Sequence, residues 1–348
     1  MAERKRIRDW MDIPARFGAG EKNSITDVLG VTVGHCTLKE GTACTGVTII
    51  SPHDKDPYRF PTPCAVYAGN GFGKLAGSVQ VEELGVLESL IGLTNTFSVA
   101  QVIQGILEHQ VQHMGENDWS MNTLVGETND GGLNDLRAFH VKSTHALKAI
   151  AALSKDVEEG CVGAGTGTRC YGFKGGIGTA SRIILGSVMG ERENYTVGAL
   201  AQTNFGGNLN IYGHQLPLAP VDERPLAGSC MIIVATDAPL DARQLKRIAK
   251  RGIVGLNDTG TYLAHSSGDF CVAFSNCADN LFDRHDAHKK PFMRLDDGQL
   301  DPLFEATVEA VREAIYNSLT MAVTTEKNGV IAKQFDITDY ADLLKLKR

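Results

Sequence analysis

Glycine sets the first limit on how this chain can fold. Four clusters divide it: GNGFGKLAG (69–77), GETNDGG (126–132), GAGTGTRCYGFKGGIG (163–178) and NFGGN (204–208). Glycine has no Cβ, so such clusters mark turns and places where one backbone passes close to another. They are not linkers, because apolar periodic segments lie between them. Short β-rich runs occur at 31–38, 46–51, 64–69, 195–206, 229–236 and 270–275. Apolar spacing of three and four predicts helices over 98–113, 145–154, 241–251 and 301–324. Strands and helices do not alternate strictly. The pattern therefore favours sheets covered by helices in layers over a doubly wound parallel sheet. No internal repeat is evident.

Charge and cysteine usage exclude several classes. A formal net charge of -7 with no basic stripe argues against nucleic-acid binding. The basic start MAERKRIRDW leads into no apolar segment. It reads as a solvated or frayed arm rather than a secretory signal, and no membrane span is expected. The eight cysteines, at 36, 44, 64, 161, 170, 230, 271 and 277, form no CxxC pair. Free thiols in a cytoplasmic protein are the expectation. His109 and His113 form HxxxH without the glutamate of HExxH, so no metal site is expected. GAGTGT lacks the G-x-G-x-x-G spacing of a dinucleotide loop, and no GK[ST] follows it, so close-packed turns are the expectation there. GxSxG is absent. The serines left as nucleophile candidates each precede a strand: Ser229 before CMIIVA, and Ser266 and Ser267 in HSSGDF.

Seven blocks stand in a specific order: NSITDVLGVTVGHCTL (23–38), LTNTFSVAQ (93–101), VGETNDGGLND (125–135), GAGTGTRCYGFKGGIGTASR (163–182), QTNFG (202–206), GSCMIIVATDAPL (228–240) and HSSGDFCVAFS (265–275). In them the chain resembles the L-aminopeptidase/D-amidase-esterase family, which includes the β-peptidyl aminopeptidases and nylon-oligomer hydrolases. The resemblance implies an α+β fold, a four-layer αββα sandwich similar to the N-terminal nucleophile hydrolases with different connectivity. It implies one catalytic domain over 1–348 that cuts itself between Gly228 and Ser229, giving an α chain of 1–228 and a β chain of 229–348.

The chemistry fits that bond. A serine hydroxyl needs a base. Once N-terminal, Ser229 would carry its own, an α-amine with a pKa of about 8. Glycine before the bond gives the backbone freedom to reach the attack geometry. The resemblance further implies Ser267 and Asp269 as the pair that orients amine and hydroxyl; residues two apart on a strand share a face. It implies Asn204 as oxyanion donor and Glu127 as partner of the substrate's free amine. Asn129 and Asp130 are equally readable as turn residues. Where the family places a large aromatic, this chain has Gly132, which predicts a roomier pocket or a different donor. The loop 51–63 is a further candidate for shaping it.

The expected function is an N-terminal serine aminopeptidase or amidase for small peptides or amides with a free amine. It would need no cofactor or metal and would assemble as a multimer of αβ units, a tetramer. An acyltransferase on the same acyl-enzyme, or a binding protein of this fold that never cuts itself, are the alternatives.

Overall fold

A computed structural model of the chain describes residues 4–116, 118–190, 193–217, 228–286 and 290–347. The main elements in chain order are β1 (Thr32–Leu38), β2 (Thr45–Ser51), β3 (Thr62–Gly71), β4 (Leu75–Ala76), β5 (Val86–Leu87), β6 (Ile91–Asn95), α1 (Val99–Gln110), β7 (Leu124–Thr128), α2 (Ser143–Ala151), β8 (Ile177–Ile184), β9 (Tyr195–Asn204), β10 (Gly228–Thr236), α3 (Ala242–Asp258), β11 (Ser267–Ser275) and α4 (Asp301–Thr320). Five strands form one sheet in the order β1-β2-β6-β7-β4. Six form the other in the order β8-β9-β10-β11-β3-β5.

Strand alternation builds the layers. On β10, Cys230, Ile232 and Val234 pack with Leu245 and Ile248 of α3 and Val311 and Ile315 of α4. The intervening Met231 and Ile233, with Phe274 of β11 beside them, face the other sheet, where they meet Ile50 and Leu93. Beyond that sheet, Val47 and Ile49 pack against Val102 and Ile106 of α1 and Ala146 and Ala149 of α2. Helices, sheet, sheet and helices thus make the expected αββα sandwich.

The six expected strands and four expected helices are present with shifted ends. Helix α3 runs past Arg251 to Asp258 through GIVG, a stretch of poor helix propensity. Packing overrides propensity there. A Cβ on Gly252 would meet Cys271 Sγ at 2.5 Å, and one on Gly255 would meet Val308 O at 2.9 Å. At its start, Asp241 Oδ1 accepts from Gln244 N at 2.7 Å and Gln244 Oε1 accepts from Asp241 N at 3.2 Å, a capping box. Strands β6, β7 and β8 were not expected. β8 reads IGTASRII, whose small residues hide a strand but admit a helix. A Cβ on Gly178 would lie 2.0 Å from Ala314 O of α4. The expectation for GAGTGT holds: a Cβ on Gly165 would meet Ile177 N at 2.5 Å, and one on Gly167 would meet Cys44 O at 2.0 Å.

The N-terminal arm is not frayed over its described residues. Ile7 is fully buried, and Arg6 pairs with Glu159 at 2.5 Å. Arg8 pairs with Glu313 at 2.8 Å, and the fully buried Arg182 holds Glu309 at 2.8 Å and Glu313 at 2.7 Å. Burial alone would raise the Glu313 pKa, but Arg8 and Arg182 outweigh it and hold it below the usual value. The basic residues of the arm answer buried carboxylates, Glu159 ahead of β8 and Glu313 on α4, rather than solvent. Among the described residues no helix is long and apolar enough to cross a membrane.

Replacing Arg182 with Met would leave buried Glu309 without an ionic partner among the described residues and Glu313 with Arg8 alone. Urea unfolding should show a loss of about 3–5 kcal/mol, the usual cost of removing one partner from a buried ion pair.

Candidate active site

Pairing of three strands brings together residues far apart in sequence. β9 runs antiparallel to β10 and sets Asn204 opposite Ser229. β11 runs parallel to β10 and sets Ser267 opposite Gly228, Gly268 opposite Ser229, and Asp269 opposite Cys230. Ser229 is 6% exposed; its Oγ donates to Gly228 O at 2.7 Å and accepts from Gly268 N at 3.3 Å. Gly228 leaves no room for a side chain, since a Cβ there would lie 2.2 Å from Asn204 O and 2.4 Å from Phe205 Cα.

Asn204 is fixed at both ends of its amide. Oδ1 accepts from Arg169 N at 3.0 Å, and Nδ2 donates to Asn129 O at 2.9 Å. An amide NH2 has two donors, so one N–H remains. The loop that carries Arg169 is itself anchored. Fully buried Lys174 donates Nζ to the carbonyls of Gly165 at 3.0 Å, Thr168 at 2.9 Å and Gly175 at 2.7 Å. Burial lowers the Lys174 pKa.

Ser267 and Asp269 lie on one face of β11, as expected. By alternation that face carries Cys271 and Ala273 toward the helices, and Asp269, opposite Cys230 in register, has its carboxylate near the Cys230 N–H. Neither of its oxygens has a hydrogen bond of normal geometry. Burial pushes its pKa up to about 6, opposed by the Ser267 hydroxyl and the Cys230 N–H.

Glu127, at the end of β7, is 2% exposed. It enters the same cavity of about 530 Å³ as Ser229 and Asn204, lined also by Phe72, Lys74, Thr96, Asn129 and Ser266. Its Oε1 already has partners, Lys74 N at 3.1 Å and Lys74 Nζ at 2.9 Å.

Several residues were not legible as part of this site. Lys74 and Phe72 belong to a glycine cluster read only as a turn. Asn70 Nδ2 donates to the carbonyls of Ala264 at 3.0 Å and Ser267 at 2.5 Å, bracing the entry to β11. Asn129 is both a turn residue and a wall residue, because its Oδ1 accepts from Gly131 N at 2.9 Å while its backbone holds Asn204. Asp130 is buried with Oδ1 on Asn134 Nδ2 at 2.9 Å; burial raises its pKa to about 7 against the pull of Thr45 and Asn134.

Two pocket expectations are corrected. Gly132 does not line the Ser229 cavity; it lies in a separate cleft with Leu136, Asn328 and Val330. The loop 51–63 likewise faces elsewhere: His53 and Asp56 line a cleft with His109 and His113. Those two imidazoles lie 5.0 Å apart, and among the described residues no group of three or more His, Cys, Asp or Glu is placed to hold a metal ion.

The geometry has known counterparts. The chain is 36% identical to the β-peptidyl aminopeptidase BapA of Sphingosinicella microcystinivorans, an alignment covering 100% of this chain and 93% of that protein. It superposes on a β-aminopeptidase from Burkholderia sp. with a TM-score of 0.90 and 35% identity, covering 98% of each chain. It superposes on the L-aminopeptidase D-Ala-esterase/amidase of Ochrobactrum anthropi, a serine aminopeptidase with a variant Ntn hydrolase fold, with a TM-score of 0.89 and 31% identity over 98% of each chain. A family model, peptidase family S58, matches residues 23–331, and with the whole sandwich and the Ser229 strand inside that span, the chain belongs to peptidase family S58.

Proposed function

We propose that this protein is a self-processing N-terminal serine hydrolase that releases N-terminal residues from small peptides or amides. One observation carries the reading: Ser229 Oγ lies 2.7 Å from the carbonyl oxygen of the residue immediately before it. The hydroxyl adds to the Gly228 carbonyl carbon, and the peptide nitrogen leaves as the Ser229 amine. Water hydrolyses the resulting ester. Chains 1–228 and 229–348 follow, and the new α-amine becomes the base for turnover. Substrate then takes the place of the 228 carbonyl, and the free N–H of Asn204 supports the oxyanion. The Asp269 carboxylate, with no hydrogen bond of normal geometry and no cation beside it among the described residues, supports the reading as well, because the new ammonium gives it an ionic partner. Glu127 receives the substrate's amine. The β-peptidyl relatives favour substrates whose amine is one carbon further from the scissile carbonyl than in an α-peptide, and we extend that spacing to this chain. The cleaved units assemble into a multimer.

Intact-mass analysis should find two chains, the smaller beginning at Ser229, whereas Ser229→Ala stays whole. Gly228→Ala should cut far more slowly, since its Cβ has no space. In the processed enzyme, Asn204→Ala should lower kcat by about 10²–10³ with little change in KM, the usual effect of losing one oxyanion donor.

Asp269 gives a pH prediction for the uncut chain. Its folded pKa of about 6 lies above that of an unfolded aspartate, so the fold loses stability as pH rises from about 4 through 6. In a Ser229→Ala background, Asp269→Asn should therefore raise the melting temperature more at pH 8 than at pH 4. An equal effect at both would refute the unpaired carboxylate.

A further inference from the structure

Among the described residues lining the Ser229 cavity, Glu127 and Lys74 carry the only charges. The Lys74 ammonium bridges Glu127 Oε1 at 2.9 Å and Thr96 Oγ1 at 3.0 Å. Its side chain is half exposed, so it presents charge to the cavity as well as to Glu127. Oε2 of Glu127 has no hydrogen bond among the described residues. The carboxylate assigned to the substrate's amine is thus already neutralised by a cation of the protein. A second ammonium there would set two cations against one buried carboxylate, a like-charge contact at close range. A substrate that brings its own anion relieves that repulsion.

The geometry says where the anion must sit. With the substrate ammonium on Oε2, its anion must lie about 2.8 Å from Lys74 Nζ while the ammonium lies about 2.8 Å from Oε2, ordinary distances for charge-assisted hydrogen bonds. The two protein charges are adjacent, so the two substrate charges must be adjacent as well. An α-amino acid head group, with ammonium and carboxylate on one carbon, meets that demand and completes a ring of four alternating charges. Its α-carboxylate is then held by Lys74 and is not the group attacked. The scissile carbonyl must belong to the side chain.

We propose that Lys74 is a specificity-determining residue that selects β-aspartyl amides and peptides, whose amine has the β spacing and whose α-carboxylate pairs with Lys74. This rests on the aminopeptidase reading above. In the reaction, Ser229 Oγ adds to the side-chain carbonyl carbon and the C–N bond breaks. The leaving amine takes the hydroxyl proton by way of the Ser229 amine, and water hydrolyses the aspartyl ester to aspartate.

The test compares two p-nitroanilides on the processed wild-type enzyme: β-aspartyl, and 3-aminobutyryl of matched configuration, in which a methyl replaces the carboxylate. The β-aspartyl substrate should be preferred by about tenfold or more in kcat/KM, a common scale for one charge pair at a binding site. Lys74→Met should abolish that preference, mainly through KM, and Lys74→Arg should keep it. Inhibition of the wild type by aspartate more strongly than by 3-aminobutyrate reads the same contact without any variant. A wild-type ratio of one or less, or an unchanged ratio in Lys74→Met, would overturn the proposal. Self-cleavage with turnover of the aminobutyryl substrate alone sinks only the specificity; a chain that neither cuts itself nor turns over either substrate sinks both readings.

Discussion

The parallel pairing of β10 with β11 is the contact on which the site depends. Parallel neighbours cannot be joined by a tight turn, and α3 makes the crossover between them. Its glycines at 252 and 255 let it lie close against Cys271 of β11 and Val308 of α4. That packing sets the register, and the register sets Gly268 beside Ser229 and Asp269 beside Cys230. A slip of one residue would turn every side chain of β10 to the opposite face and take the Ser229 hydroxyl away from its cavity.

A second dependence runs through the glycine-rich segment 163–176. Three of its carbonyls converge on the buried Lys174 ammonium. A charge held only by carbonyl dipoles is costly to bury, yet here it organises a loop that has almost no side chains of its own to pack. The loop in turn offers Arg169 N to Asn204. The donor assigned to the oxyanion is thus aligned by a residue that does not line the cavity.

Much of this was legible in the sequence. The continuous apolar runs at 229–236 and 270–275 revealed two central strands, and the order of seven blocks pointed to the sandwich and to Ser229, Ser267, Asp269, Asn204 and Glu127. What escaped had a physical reason. IGTASRII hides a strand because close approach of α4 demands small residues. Lys74 escaped because nothing in GNGFGKLAG distinguishes a turn from a cavity wall. Gly132 was misplaced because its cleft depends on Asn328 and Val330, nearly two hundred positions away. The N-terminal arm was misread because its acidic partners, Glu159 and Glu313, sit far along the chain.

The strand order of the larger sheet has a further consequence. Cleavage at Gly228–Ser229 would leave β10 and β11 in one polypeptide, with β8 and β9 on one side and β3 and β5 on the other in the second polypeptide. The shorter fragment would be clasped along both edges by the longer one, with α3 and α4 of the former closing over strands of both. Separating the two would mean unzipping the sheet twice, so dissociation and denaturation become the same event. A protein built this way must finish folding as a single chain before the cut, and afterwards carries an assembly that its separated pieces have no simple route to rebuild.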